Sequence, residues 1–167
     1  MGFLRSIKIS GIRSIGPGEE NEVEIRFQRP FTLISGQNGA GKTTVIECLK
    51  YATSGAFPPG TTKAKGWIHF PKGRNEEAET TKTGRKRKAA NVTKVPARVH
   101  LELEVPAENG DINVISVSRK LEGTLKDGDM TTKTLEGTIN IKDKRTGAPI
   151  ENRKGLEILG CATCPVL

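Results

Sequence analysis

Aromatic residues are scarce in this sequence, at 4% of 167 residues, so a hydrophobic core must rest on Ile, Leu and Val. Long apolar runs are lacking too. No stretch approaches the ~20 residues that a membrane-spanning helix needs, so we expect no membrane partner. Three cysteines are too few, and odd in number, for a disulfide framework, which favours a reducing compartment. The length suits one domain.

Positive charge is in excess, with 27 Lys and Arg against 19 Asp and Glu and a formal net charge of +8. Such a balance favours a polyanionic partner such as nucleic acid, although a merely soluble basic protein has the same composition. The densest basic run is Arg85-Lys86-Arg87-Lys88, within a polar stretch over 73–94 that we predict to be a mobile insertion. The alternatives for this run are a nuclear localisation signal, a DNA contact and a solvated loop.

The first third of the chain shows three patterns typical of strands. Residues 3–10 alternate apolar and polar side chains, which predicts a half-buried strand, and a Gly-rich loop follows. Residues 22–28 alternate as well, which predicts a strand at the edge or exposed face of a sheet, ended by Pro30. Residues 31–35, FTLIS, are apolar and rich in β-formers, which predicts a buried strand.

The second half of the chain predicts an antiparallel meander over 97–142. Residues 97–105 and 112–121 alternate around Asn109-Gly110, which indicates a hairpin. In the second run the alternation is less regular and places Ile112, Val114, Ser116 and Ser118 on one face, against Val117. Residues 134–142 predict a third strand. The tail, 150–167, has weak helical character, and its Cys161-x-x-Cys164 pair is two ligands short of a metal site, so incidental cysteines are favoured.

One segment carries recognisable chemistry. Residues 36–43 read GQNGAGKT and fit the P-loop pattern G-x-x-x-x-G-K-[ST] fully. The glycines let the backbone take positive φ and approach phosphates, and the N–H groups of the turn then face the anion. Lys42 is predicted to reach the β- and γ-phosphates, and the Thr43 hydroxyl to bind Mg²⁺. An ordinary Gly-rich turn is the alternative.

The residues after the loop predict a helix packed on a sheet, because Val45, Ile46, Leu49 and Ala52 recur at three-to-four spacing. The order of strand, Gly-rich loop and helix is typical of an α/β P-loop NTPase that binds ATP with Mg²⁺. Hydrolysis also needs carboxylates for Mg²⁺ and the attacking water. No apolar run ends in Asp, so we expect only part of an ATPase site; a small kinase would need a lid and an Asp-bearing strand. The polar or turn-like aspartates are Asp111, Asp127, Asp129 and Asp143.

Several stretches resemble one family in the same order. They are GIRSIG (11–16), SGQNGAGKTTVIECLKY (35–51), FPPGT (57–61), IHFPK (68–72) and KTLEG (133–137). From about residue 3 to about residue 142 they are similar to the N-terminus of the Rad-fifty family, the SMC-like ATPases of DNA double-strand-break repair. The P-loop is shared by many ATPases, whereas ECLKY followed by FPPGT is much narrower.

The resemblance implies the fold of an ABC-type ATPase head, with residues 1–167 as its N-terminal lobe and the C-terminal lobe and coiled coil absent from this chain. In such proteins two heads dimerise around two ATP molecules, the partner is the Mre-eleven nuclease, and the ATP-bound dimer engages DNA. The implied location is the nucleus, on chromosomes. Zinc is implied only for full-length members. A truncated, non-catalytic fragment that binds DNA or a partner is the alternative.

The resemblance and the P-loop together predict the site residues. The arginine and serine of the first loop, here Arg13 and Ser14, are expected near the phosphates, and Asn38 near the γ-phosphate. Lys42 is the predicted catalytic residue and Thr43 the predicted metal ligand. The predicted nucleotide-binding set is Arg13, Ser14, Gly36, Asn38, Gly39, Ala40, Gly41, Lys42, Thr43 and Thr44.

Overall fold

The computed structural model describes residues 2–61, 64–70, 93–106, 110, 112–126, 129–143 and 149–150. The predicted insertion up to residue 92, with its basic run, lies outside the described residues. So do Asp111, Asp127 and the tail from residue 151 with its two cysteines. Thr93 and Lys94, which we had included in the insertion, begin a strand instead.

Six strands form one sheet, in the order β2-β1-β3-β4-β5-β6, and every neighbouring pair is antiparallel. The strands are β1 Phe3–Ser10, β2 Val23–Arg26, β3 Thr93–Pro106, β4 Ile112–Lys126, β5 Asp129–Asp143 and β6 Pro149–Ile150. The α-helix of the described region is α1, Lys42–Ser54, and a 3-10 turn spans Glu19–Asn21. The predicted meander is confirmed as β3 to β5, and β2 lies at the sheet edge as predicted, although it is shorter than 22–28.

One face of the sheet carries the core. The register places Leu101 of β3 between Ile7 of β1 and Val117 of β4, and all three side chains are at most 1% exposed. Rows of aliphatic side chains across neighbouring strands are the unit that stabilises a sheet. Our assignment of the apolar face of β4 was wrong, because this register turns Val117 inward and leaves Ile112 38% exposed.

Helix α1 packs on β3 and β4 through Val45, Cys48, Tyr51 and Ala52. Ile46, which we expected on that face, is 65% exposed. Successive helical residues are rotated by about 100°, so Ile46 is turned away from the line through the buried positions. Among the described helices, none is both long and apolar enough to cross a membrane.

The C-terminal end of α1 is fixed to the sheet by a charged contact. The Gly55 N–H donates to the Tyr51 carbonyl at 2.8 Å, with Gly55 at φ 73°. Arg119 of β4 donates from Nε to the Ala52 carbonyl at 3.0 Å, and its guanidinium lies 5.7 Å from the centre of the Tyr51 ring. A cation at this end favours the helix because the last carbonyls carry partial negative charge.

The predicted buried strand over 31–35 is wrong. This segment has no strand structure, and Phe31 and Leu33 are 75% and 81% exposed. A strand needs a hydrogen-bonding neighbour. Both edges of β1 are already paired, with β2 and β3, and no strand of the described region lies beside 31–35. The apolar side chains therefore stay on the surface.

Candidate nucleotide-binding site

The P-loop forms an exposed turn directly before α1. It is closed by a hydrogen bond from the Ala40 N–H to the Gln37 carbonyl at 3.1 Å. Gly39 and Gly41 have φ of 85° and 92°, which favours glycine at both positions. A Cβ built on either glycine meets no atom within 4 Å. Backbone conformation, and not packing, therefore requires these glycines, and the space beside them is open to a ligand.

The start of α1 presents unpaired donors to this space. Gly41 is the N-cap and supplies no side-chain cap, while the Val45 N–H makes the first helical bond, to the Gly41 carbonyl. The N–H groups of Lys42, Thr43 and Thr44 have no hydrogen-bond partner within the described part of the chain. Such groups, together with the helix dipole, attract an anion.

Lys42 folds back over the loop. Its Nζ donates to the Gly36 carbonyl at 2.7 Å and to the Gln37 carbonyl at 2.8 Å. Two of the three N–H donors of the ammonium are used in this way, and the third has no partner among the described residues. The loop therefore holds a positive charge at the place where phosphate oxygens would have to bind.

The two threonines after Lys42 differ in exposure. Thr43 is exposed, so its hydroxyl can reach a ligand at the loop, as a metal-binding role requires. The Thr44 side chain is only 5% exposed, so its backbone N–H is the group that faces the site. Across the described ranges, no group of three or more His, Cys, Asp and Glu side chains could hold a metal ion.

The remaining predicted P-loop residues lie on the outside of the turn. Asn38 and Ala40 are exposed, and a Cβ on Gly36 would lie 3.2 Å from the Ala40 Cβ. Glycine at position 36 therefore allows the two ends of the loop to approach each other. The nucleotide contacts of all these residues stay predictions.

The first loop, residues 11–16, is held firmly by its neighbours. Ile12 forms an antiparallel bridge with Ile68, and the Arg13 N–H donates to the Trp67 carbonyl at 2.8 Å. Nδ1 of His69 donates to the Arg13 carbonyl at 2.6 Å, which requires the proton on Nδ1. Arg13 has φ 49°, a left-handed conformation that is uncommon outside glycine. Both polar groups of its backbone are thus bonded.

The Arg13 side chain is bound to α1. Its Nε and Nη2 donate to Glu47 Oε2 and Oε1, at 3.0 and 2.8 Å, in a two-pronged contact. Glu47 lies one turn after Thr43, so Arg13 stands beside the first two turns of the P-loop helix. Sequence reasoning missed Glu47; its i+4 spacing from Thr43 was the one local signal. No hydrogen bond in the described region joins Arg13 to the P-loop itself.

Arg13 and Ser14 also line a cavity of about 530 Å³ together with the loop over 64–70 and the start of β5. Its other wall residues include Ile68 and the exposed Phe70. At its rim Lys65 donates to Asp129 at 2.7 Å, and this hydrogen bond lowers the pKa of the Asp129 carboxyl. No P-loop residue is among the described residues that line this cavity.

An aromatic cluster supports the loop that holds Arg13. Trp67 is fully buried, with its ring centre 4.9 Å from that of Tyr51 in an edge-on arrangement. Phe57 stacks on Tyr51 at 5.1 Å. Aromatic contacts of this kind add to the effect of burial. The segment after α1 is thereby anchored to the helix that also carries the P-loop.

A family model described as "AAA domain" matches residues 6–157, which is most of the chain. The chain belongs to the AAA domain family. Among curated relatives, this AAA domain is 36% identical over 142 residues to the DNA repair protein RAD50 of Drosophila melanogaster, covering 84% of the chain and 9% of the relative. It is 38% identical over 139 residues to RAD50 of Saccharomyces cerevisiae, covering 83% and 9%.

A third relative, the DNA repair protein rad50 of Schizosaccharomyces pombe, is 37% identical over 153 residues, covering 92% of the AAA domain chain and 10% of its own length. The chain thus spans about a tenth of the length of these relatives. The predicted resemblance to the N-terminal part of this family is confirmed.

A solved structure has the same fold. It comes from work on ATP-driven dimerisation and DNA-stimulated activation of SMC ATPases, with a TM-score of 0.50 and 16% identity over 95% of this chain and 78% of that one. The predicted fold class, an α/β N-terminal lobe of an ABC- or SMC-type ATPase head, is confirmed.

Proposed function

We propose that this chain is the ATP-binding N-terminal lobe of a DNA double-strand-break repair ATPase. The observation that carries the proposal is the arrangement at the start of α1. Two glycines with positive φ border open space, three helical N–H groups lack a partner in the described region, and the Lys42 ammonium lies over the loop. Together they form an open, positively charged surface that suits phosphate groups.

Each residue of the site has a role that its position allows. The unpaired N–H groups of Lys42, Thr43 and Thr44 bind phosphate oxygens, and Lys42 moves its free donor onto the β- and γ-phosphates. The exposed Thr43 hydroxyl binds Mg²⁺, which, when present, neutralises phosphate charge. We expect Arg13 and Ser14 to contact the nucleotide from the neighbouring loop, because Arg13 is bound to Glu47 of the helix that follows the P-loop.

The relatives supply the biological setting of the proposal. Proteins called DNA repair protein RAD50 match this chain over a tenth of their length. We infer that the whole protein hydrolyses ATP, forms a head dimer around ATP, engages DNA and works in the nucleus with the Mre-eleven nuclease. The net charge of +8 supports the DNA partner. Lys42 is the residue of this lobe that we expect to act in catalysis.

A second reading is a non-catalytic fragment that binds DNA or a partner without holding nucleotide. One observation favours it. The segment before the P-loop has no strand structure and exposes Phe31 and Leu33 to solvent, so the loop is supported by α1 on one side only. If that support is insufficient, the phosphate-binding conformation is lost in solution.

Calorimetric titration with a non-hydrolysable ATP analogue and Mg²⁺ tests the proposal. The wild-type chain is compared with Lys42→Ala and with Lys50→Ala, which removes the same charge from an exposed position two turns further along α1. We expect Lys42→Ala to lose at least ~100-fold in affinity, because two unit charges about 4 Å apart near a protein surface interact by about 4 kcal/mol. Lys50→Ala should bind within about twofold of wild type, as expected for an exposed side chain away from the site.

The three outcomes are distinct. Saturable binding that is lost in Lys42→Ala and kept in Lys50→Ala supports nucleotide binding at this loop. Equal loss in both variants would show a general charge effect and contradict the role of Lys42. No binding by the wild-type chain would favour the non-catalytic fragment.

A further inference from the structure

We propose that Glu47 is a positioning residue for nucleotide binding, which holds the Arg13 guanidinium ready to receive phosphate. The inference rests on the proposed function, since Arg13 has this use only if the neighbouring loop binds a nucleotide. It adds a carboxylate, outside the P-loop pattern, to the residues that determine affinity.

The contact leaves most of the guanidinium available. Glu47 accepts from Nε and from one N–H of Nη2, at 3.0 and 2.8 Å. A guanidinium has five N–H donors, so three remain, and none of them has a partner in the part of the chain that the structure describes. Arg13 can therefore stay on Glu47 and still donate to phosphate oxygens.

The base of the Arg13 side chain is fixed as well as its tip. The Trp67 carbonyl accepts the Arg13 N–H at 2.8 Å, and His69 donates to the Arg13 carbonyl at 2.6 Å. The residue is held in a left-handed conformation, with φ 49°. A long side chain tied at both ends has already lost much of its rotational freedom, so less entropy remains to be lost on binding.

Because Glu47 is negatively charged, its electrostatic effect and its positioning effect should change the nucleotide affinity in opposite directions. Glu47 lies four positions after Thr43, which corresponds to about 6 Å along the helix axis. A carboxylate at that distance repels phosphate by charge alone. Its side chain is only 16% exposed, so water screens it incompletely. Removal of the charge should therefore tighten binding if charge dominates, and weaken binding if the orientation of Arg13 dominates.

The experiment is a double-mutant cycle on the affinity of the 167-residue chain for the Mg²⁺–ATP analogue. The variants are Glu47→Gln, Arg13→Ala and the double variant, with Glu24→Gln as the control, since Glu24 also pairs with an arginine but lies on β2 at the sheet edge. We expect Glu47→Gln to weaken binding about three- to tenfold, the loss of one modest hydrogen bond. In the Arg13→Ala background the same substitution should cause no weakening, and Glu24→Gln should have no effect.

Glu47→Asp provides a conservative variant. It keeps the charge and shortens the side chain by one methylene, so it should recover part of the affinity that Glu47→Gln loses. Urea unfolding of each variant identifies any general loss of stability, which would not depend on Arg13.

Each outcome of the cycle either supports or overturns the role of Glu47 in nucleotide binding. Binding by the wild-type chain that Lys42→Ala abolishes, with unchanged or tighter binding by Glu47→Gln, overturns the role of Glu47 and leaves the proposed function standing. Equal weakening by Glu47→Gln with and without Arg13 shows that Glu47 does not act through Arg13, and also overturns it. A wild-type chain that binds no nucleotide removes both proposals.

Discussion

Gly11, the first residue of the first loop (residues 11–16), is the glycine of the described region at which an added methyl group should be most disruptive. Gly11 has φ +68°, and a Cβ there would collide with the Pro96 carbonyl oxygen and stand 2.7 Å from the Ala97 Cα. A left-handed alanine costs about 1 kcal/mol. Relief of the clash requires Gly11 to move away from β3, which disturbs its bonds to the Gly16 carbonyl and the His69 N–H, both at 2.8 Å. At about 1 kcal/mol for each bond, Gly11→Ala should lower the free energy of unfolding by about 3 kcal/mol.

Urea unfolding, followed by circular dichroism, measures this change in the free energy of unfolding. Gly66→Ala is the matched control, because Gly66 has φ +81° but a Cβ there meets nothing within 4 Å. The control should show only the conformational cost of about 1 kcal/mol. If Gly11→Ala is no less stable than Gly66→Ala, the close approach to β3 does not have the energetic weight that we assign to it.

Two further predictions concern the half-buried His100 of β3 and the buried Cys48 of α1. Burial lowers the pKa of His100, and the positive charge of Arg98 lowers it further, so the folded state disfavours the protonated ring. The free energy of unfolding should therefore be highest above the unfolded pKa of about 6.5 and should decrease as pH falls below that value. His100→Gln should flatten this pH dependence, as measured by urea unfolding. An unchanged slope would show that His100 does not cause it. Burial raises the pKa of the Cys48 thiol to about 12, so in a chain carrying Cys161→Ser and Cys164→Ser it should resist a thiol reagent until urea unfolds the protein. Rapid labelling of the native chain would contradict the burial of this residue.

The strands that sequence reasoning predicted correctly are those in which apolar and polar side chains alternate. In β3 the alternation continues through Ala97, Val99 and Leu101, because α1 covers one side of the sheet and solvent the other. The segment 31–35 shows the limit of this reasoning. Its composition predicts a buried strand, but composition does not reveal whether a neighbouring strand exists to pair with it.

The candidate site also has one part that the sequence predicts, the P-loop, and one part that only the fold reveals, the contacts of Arg13. The P-loop could be read from the sequence because its glycines, Lys42 and Thr43 act within eight consecutive residues and depend on local backbone geometry. The contacts that position Arg13 could not be predicted from the sequence. Glu47 is 34 residues away in sequence and His69 is 56 away, and only the fold brings them together. The predicted placement of Arg13 near the phosphates came from resemblance alone and stays a prediction.

The aromatic cluster has an optical consequence. The chain contains one tryptophan and one tyrosine, and the structure places their rings 4.9 Å apart in the core. All indole fluorescence therefore arises from Trp67, whose backbone carbonyl accepts the Arg13 N–H at 2.8 Å. Emission from Trp67 reports on the loop that holds Arg13, beside the candidate nucleotide site, without any attached dye. Because the two rings are so close, the excitation energy of Tyr51 should be transferred largely to the indole of Trp67. An increase in tyrosine emission would therefore show that α1 has separated from the segment that contacts Arg13.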